Sequence, residues 1–162
     1  IIYCARSLEE SLIYLAMAAE AGESASVLAP TWSEAYYLKA YALLELGRLG
    51  EARETLERAI ALSPSNSMYM AELAYTYQVE KSWAEAIDRY ETAEEAAETF
   101  SPPDVKAAEL SRAMRGQGFA LVELGQLDEA EAIYRKAMKA DPEDRASANE
   151  IQYIEQMRAK QR

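Results

Sequence analysis

The chain has 162 residues, 28 acidic and 17 basic, for a net charge of −11. A surface this acidic repels a phosphate backbone and an anionic lipid face alike, so nucleic acid is not expected as a partner. Histidine is absent and Cys4 is the only cysteine, which removes an internal disulfide, a thiolate metal cluster and the commonest general base.

In chain order, residues 1 to about 20 read as a helix. Leu8, Leu12 and Leu15 form an apolar stripe, widened by Ile13 and Met17, and Glu9, Glu10 and Glu20 are expected to face water. Cys4 reads as an inert buried thiol. Gly22, Ser24, Ser26 and Pro30 mark residues 21–32 as a loop. Ser33 then suits the N-cap of a helix over about 33–46, followed by helices over about 49–62, 67–79 and 83–100. Ser101-Pro102-Pro103-Asp104 is a start signal, with Ser101 as N-cap and Pro102 in the first position. The helix it opens runs to about Leu124, and the next covers about 127–139. Asp141-Pro142-Glu143-Asp144 starts a last helix over about 143–159, with Lys160 and Arg162 suited to its C-terminus. Residues 67–100 carry net −6 and residues 145–162 net +2. That basic tail is read as a capped end, with contact to an acidic partner or a second copy as the sharper reading. No apolar run approaches the ~18 residues of a membrane span, so membrane insertion is not expected. The cytoplasm is the favoured compartment, and Ile1 in place of methionine implies a processed or trimmed start that leaves export open.

One short stretch occurs twice in this series. Leu46 to Ala52 read Leu-Gly-Arg-Leu-Gly-Glu-Ala, and Leu124 to Ala130 read Leu-Gly-Gln-Leu-Asp-Glu-Ala. A weaker copy between them keeps Glu85 and Ala86, 34 residues after the first and 44 before the last. A period of 34 is that of a helix–turn–helix repeat. Packing columns recur with it. Tyr36, Met70 and Met114 form one, Ala40, Ala74 and Gly118 the next, and Leu43, Tyr77 and Leu121 a third. Beyond the turn come Ala52, Ala86 and Ala130, then Leu56, Tyr90 and Tyr134, then Ala59, Ala93 and Ala137. Each set keeps the i, i+4, i+7 spacing of one helix face. The 10 extra residues of the second interval lengthen two adjoining helices into a protruding hairpin, with Phe100 and Leu110 on its packed side.

These columns, with Leu-Gly at the turn and Pro64 and Pro142 at two unit ends, resemble the tetratricopeptide repeat family over roughly residues 33–144. The resemblance implies an all-α fold: a right-handed superhelical array of antiparallel helix pairs, with three repeats, an N-terminal helix and a C-terminal capping helix. Residues 1–32 would hold the N-terminal helix and loop, residues 33–66, 67–110 and 111–144 the repeats, and residues 145–162 the cap. Departures are Lys81 where the other turns have glycine, and a middle unit with no proline at its end.

By the same resemblance the first helix of each pair lines a concave side. The lining columns are Glu34, Met68 and Arg112; Tyr37, Ala71 and Arg115; Tyr41, Tyr75 and Phe119; and Leu44, Gln78 and Val122. Candidate groove residues are Tyr37, Tyr41, Met68, Tyr75, Arg112, Arg115 and Phe119, because aromatic, Met and Arg side chains are the usual make-up of a binding surface. Gly116 is expected to leave a dent beside Phe119. Some members clamp a peptide's C-terminal carboxylate with Lys and Asn. The matching positions here are Tyr37, Tyr41, Glu72, Arg112 and Gly116, and only Arg112 keeps the right charge, so that subtype is rejected. Neighbouring carboxylates on a helix point apart, and Arg115-Gly116-Gln117-Gly118 follows no strand, so no enzyme, cofactor or metal site is expected. The reading is a non-catalytic scaffold that binds a peptide or helical segment of another protein. A bacterial secretion-type chaperone is the alternative, and the charge distribution leaves room for a homo-oligomer.

Overall fold

A computed structural model describes residues 1–160; Arg162, expected at the end of the last helix, lies outside the described residues. Seven helices form the main array: α2 (Thr31–Glu45), α3 (Leu49–Leu62), α4 (Ser67–Val79), α5 (Trp83–Phe100), α6 (Pro103–Glu123), α7 (Leu127–Ala140) and α8 (Arg145–Lys160). Helices α2 with α3, α4 with α5, and α6 with α7 make three antiparallel pairs, and α8 packs on α7. The fold is all-α in its repeats, as the columns imply.

The small-residue columns are what let the helices approach. Ala52, Ala86 and Ala130 have no exposed surface, nor do Ala59, Ala93 and Ala137. The column between them changes size, from Leu56 to Tyr90 and Tyr134, and all three are buried. The partner helix makes room for the rings. A Cβ on Gly116 would lie 2.2 Å from the Tyr90 ring, and one on Gly118 2.7 Å from the Tyr134 ring. Two glycines inside α6 each cost about 1 kcal/mol of helix propensity against Ala, and the buried rings offset that. The expected dent at Gly116 is therefore filled by Tyr90 from within the chain.

Each turn closes in the same way. Arg48, Ser82 and Gln126 donate their N–H groups to the carbonyls of Leu43, Tyr77 and Leu121, five residues back. That closure needs a left-handed residue just before the donor. Gly47 and Gly125 supply it, and Lys81 adopts φ 60° in the middle unit. The conspicuous repeat stretch is thus conserved in backbone shape even where the glycine is lost.

Local starts differ from the sequence reading in two places. Helix α2 begins at Thr31, so Ser33 is inside it; its buried hydroxyl donates to the Pro30 carbonyl and accepts from the Tyr69 hydroxyl. Helix α6 begins at Pro103, and Ser101 spends its hydroxyl on Glu109 instead of capping. In the α5–α6 hairpin Leu110 is buried and Phe100 is half-buried.

The first 30 residues depart most. They form strand β1 (Ile2–Cys4), helix α1 (Leu8–Glu20) and strand β2 (Ser26–Leu28), with the two strands parallel. The expected loop over 21–32 thus contains a strand. Helix α1 is turned opposite to its apolar stripe: Leu8, Leu12 and Leu15 are exposed, and Glu10, Tyr14 and Ala18 are buried. Polar pairing sets that orientation. Ser7 caps the helix through the Glu10 N–H, Glu10 pairs with Arg6 at 2.7 Å, and the Tyr14 hydroxyl meets Ser65 Oγ at 2.7 Å. A satisfied carboxylate can occupy an inward position that periodicity assigns to leucine. Cys4 is fully buried.

Candidate functional site

Helices α2, α4 and α6 present the side to which the lining columns were assigned. The central column stays open in every unit: Tyr41 is 50% exposed, Tyr75 40% and Phe119 38%. Three large rings at equivalent places, none withdrawn into the core, make an apolar row. Helix α1 packs on the strands and α8 on α7, and this row keeps its exposure alongside both.

The floor beside the row is polar and internally paired. Tyr37 is half-buried and stacked on Tyr69, with centroids 5.3 Å apart. Ala71 is buried and Met68 half-buried. Glu72, with its side chain 5% exposed, forms an ion pair with Arg112. Burial raises the Glu72 carboxyl above its ordinary range and Arg112 opposes the rise. The Tyr90 hydroxyl donates to Gln78 Oε1 at 3.0 Å, and burial pushes this phenol up as well.

Arg115 is also engaged. Its guanidinium lies 3.1 Å from Asp144, whose side chain is 2% exposed, and donates to Ser111 Oγ at 2.9 Å. Both arginines therefore have a buried acid of this chain as partner, which neutralises their charge locally. Reversing either charge would set two negative charges together at a buried site.

At this end of the row lies a cavity of about 300 Å³ between Gln78, Arg112, Arg115, Phe119, Tyr134 and Glu150. Arg112 and Arg115 are 42% and 34% exposed in their side chains. Each has five N–H donors in its guanidinium, more than its internal carboxylate can take. Glu150 comes from α8, so the capping helix forms one wall. Two contributors escaped the sequence reading. Trp83, the first residue of α5, meets Phe119 of the row edge-on at 6.1 Å. Tyr134 was assigned to packing alone. Trp83 sits at the first position after a turn, where a helix start faces the next unit, and that position is the signal that could have flagged it.

The acidic side chains do not assemble a metal site: among the described residues no group of three or more His, Cys, Asp or Glu could hold a metal ion. No helix among them is long and apolar enough to cross a membrane. In the basic tail, Arg158 pairs at the surface with Asp128 and Glu131 of α7.

Comparison with known proteins agrees with this architecture. The tetratricopeptide repeat family matches residues 33–66 and 64–143. No curated protein matches in sequence. Among solved structures, the first such domain of Spaghetti (RPAP3), bound to the HSP90 peptide SRMEEVD, is 20% identical, with a TM-score of 0.66 over 78% of this chain and 95% of that one. The second domain of human RPAP3, in complex with the HSP70 peptide SGPTIEEVD, is 20% identical, with a TM-score of 0.63 over 78% and 98%. The N-terminal domain of stress-induced protein-1 from C. elegans is 22% identical, with a TM-score of 0.66 over 78% and 96%. Two family matches that between them cover residues 33–143, on helix pairs closed by one repeated turn, establish that this chain belongs to the tetratricopeptide repeat family.

Proposed function

We propose that the chain is a non-catalytic scaffold that holds an extended or helical segment of another protein along the row Tyr41, Tyr75 and Phe119. The observation that carries this is the exposure of all three rings, 38–50%, at equivalent places on successive units. Exposed aromatic rings offer large contact area at low entropic cost, which suits them to binding. Neighbours of the same fold hold HSP90 and HSP70 peptides, which supports a peptide as the ligand class. The ligand here differs from a clamped C-terminus, because Tyr37, Tyr41 and Glu72 occupy places where such a clamp needs cations or amides. It is apolar along the row, with an acidic side chain at the end where Arg112 and Arg115 have N–H donors to spare. Nothing in the comparisons supports a secretion-type chaperone.

The test is a displayed peptide library panned against the wild-type chain, with binders then titrated against Tyr41→Ala, Tyr75→Ala and Phe119→Ala. Recovered peptides should lose roughly tenfold or more in affinity for at least one variant, with unchanged circular dichroism. Binders indifferent to all three would overturn the groove.

A further inference from the structure

Eight of the large apolar side chains that stand exposed belong to the first 32 residues: Ile1, Ile2, Leu8, Leu12, Leu15, Met17, Leu28 and Trp32. Of these, Ile2 and Leu28 belong to a sheet of only two strands, and Trp32 lies beside them. Two-stranded sheets are marginal by themselves, and parallel strands are normally covered on both faces.

The edges of this sheet are unequal. Tyr3 pairs with Val27 in register, the Ser26 N–H donates to the Ile1 carbonyl, and the Ala5 N–H donates to the Leu28 carbonyl. In a parallel ladder with this register, Ser26 and Leu28 use their backbone groups toward β1, and Val27 turns its N–H and C=O to the opposite edge. On the far side of β1, the Cys4 carbonyl accepts from the Ser63 hydroxyl. Beyond β2, the N–H groups of Ala25, Val27 and Ala29 have no backbone acceptor among the described residues. Ala25-Ser26-Val27-Leu28-Ala29 contains no charge and no proline, the devices that usually guard a strand edge.

We propose that this edge pairs with the same edge of a second copy, antiparallel and centred on Val27. The segment is self-complementary. With Val27 opposite Val27 the two exchange both backbone hydrogen bonds, and Ala25 opposes Ala29 on either side with small side chains. Ser26 then lies opposite Leu28 on the sheet face that also carries Ile2. That face bounds an apolar cavity of about 460 Å³ with Trp32 and Tyr36. Pairing thus removes an unguarded edge and covers Leu28, and gives a four-stranded sheet across a two-fold axis.

Sedimentation velocity of the whole chain at about 0.2 mM should give a mass near 36 kDa, twice the 18.1 kDa of one copy, falling to one copy on dilution. Val27→Pro removes the outward donor without touching the ladder to β1, and should sediment as a monomer with unchanged helicity. If that variant fails to fold, Ala29→Lys, which charges the edge, should be monomeric in its place. Hydrogen exchange should show the Val27 amide protected at high concentration and open on dilution. A wild-type monomer at 0.2 mM, a dimer that survives both variants, or a Val27 amide that exchanges freely in the dimer would each overturn the proposal. Pairing of β2 with another protein's strand in place of itself would appear as the first of these results.

Discussion

Lys81 is the residue at which local preference and repeat geometry oppose each other. It sits at φ 60° where Gly47 and Gly125 have φ 70° and 77°. A side chain in the left-handed region costs roughly 1–2 kcal/mol, and the common closure, in which Ser82 donates to the Tyr77 carbonyl, holds the residue there. Lys81→Gly should therefore stabilise the chain by about 1 kcal/mol, since glycine takes that conformation without a Cβ clash at some cost in unfolded-state entropy. Thermal unfolding should show the melting temperature raised by a few degrees; a lowered one would mean that the Lys81 side chain contributes contacts of its own. The sequence exposed this site well, as the one turn lacking glycine. It gave no hint that Glu10 is buried, because a carboxylate inside is legible only once Arg6 is seen beside it.

The end of the array shows the same contrast between elements. The proline and acids at 141–144 announce a helix, and α8 starts just after them. The structure adds that Asp144 caps α8 through the N–H groups of Ala146 and Ser147, and binds Ser111 and Arg115 of α6 as well. Burial alone would push its carboxyl up. Hydrogen bonds from the Ser111 and Ser147 hydroxyls, the Ser147 N–H and Arg115 outweigh that and hold it at about 2, against 3.8 unperturbed. A depressed carboxyl contributes stability that is complete above the unfolded value and is lost as pH falls through the folded one. The contribution is on the order of 2 kcal/mol. Wild type should lose it between about pH 4 and pH 2. Asp144→Asn should lack that segment of the stability–pH curve while keeping part of the cap. Chemical unfolding at pH 6 and pH 2.5 checks this, and equal losses in both proteins would refute it.

At the scale of the molecule the 10-residue insertion gains a reason. It contains Ser101 and Glu109. Glu109 accepts hydrogen bonds from the hydroxyls of Ser67 and Ser101, and pairs with Arg6 at 2.6 Å. Arg6 also pairs with Glu10, so the lengthened hairpin is tied to the N-terminal strand–helix–strand unit through one guanidinium. Glu10 and Glu109 are 1% and 10% exposed in their side chains. Arg6→Ala would strand two buried carboxylates and should cost about 3 kcal/mol, measured as a shift in the urea midpoint. A loss below about 0.5 kcal/mol, the range of a surface pair, would show that the latch is not part of the folded core.

The 34-residue period, the small-residue columns and the turn sequence determined the helix pairs, because those features are local or repeat at fixed spacing and every unit restates them. The repeat register, with the family resemblance, put Tyr41, Tyr75 and Phe119 at equivalent positions on the first helices of successive units. Only the tertiary structure decided what each side chain meets across long separations. It gave Arg112 to Glu72 and Arg115 to Asp144, filled the Gly116 dent with Tyr90, and turned α1 so that Glu10 faces inward and Leu8, Leu12 and Leu15 face out. The physical reason is that periodicity reports hydrophobicity along one helix, whereas a buried charge is permitted by a partner elsewhere in the chain. Arg6 and Glu109, 103 residues apart, form a pair that no window of sequence contains.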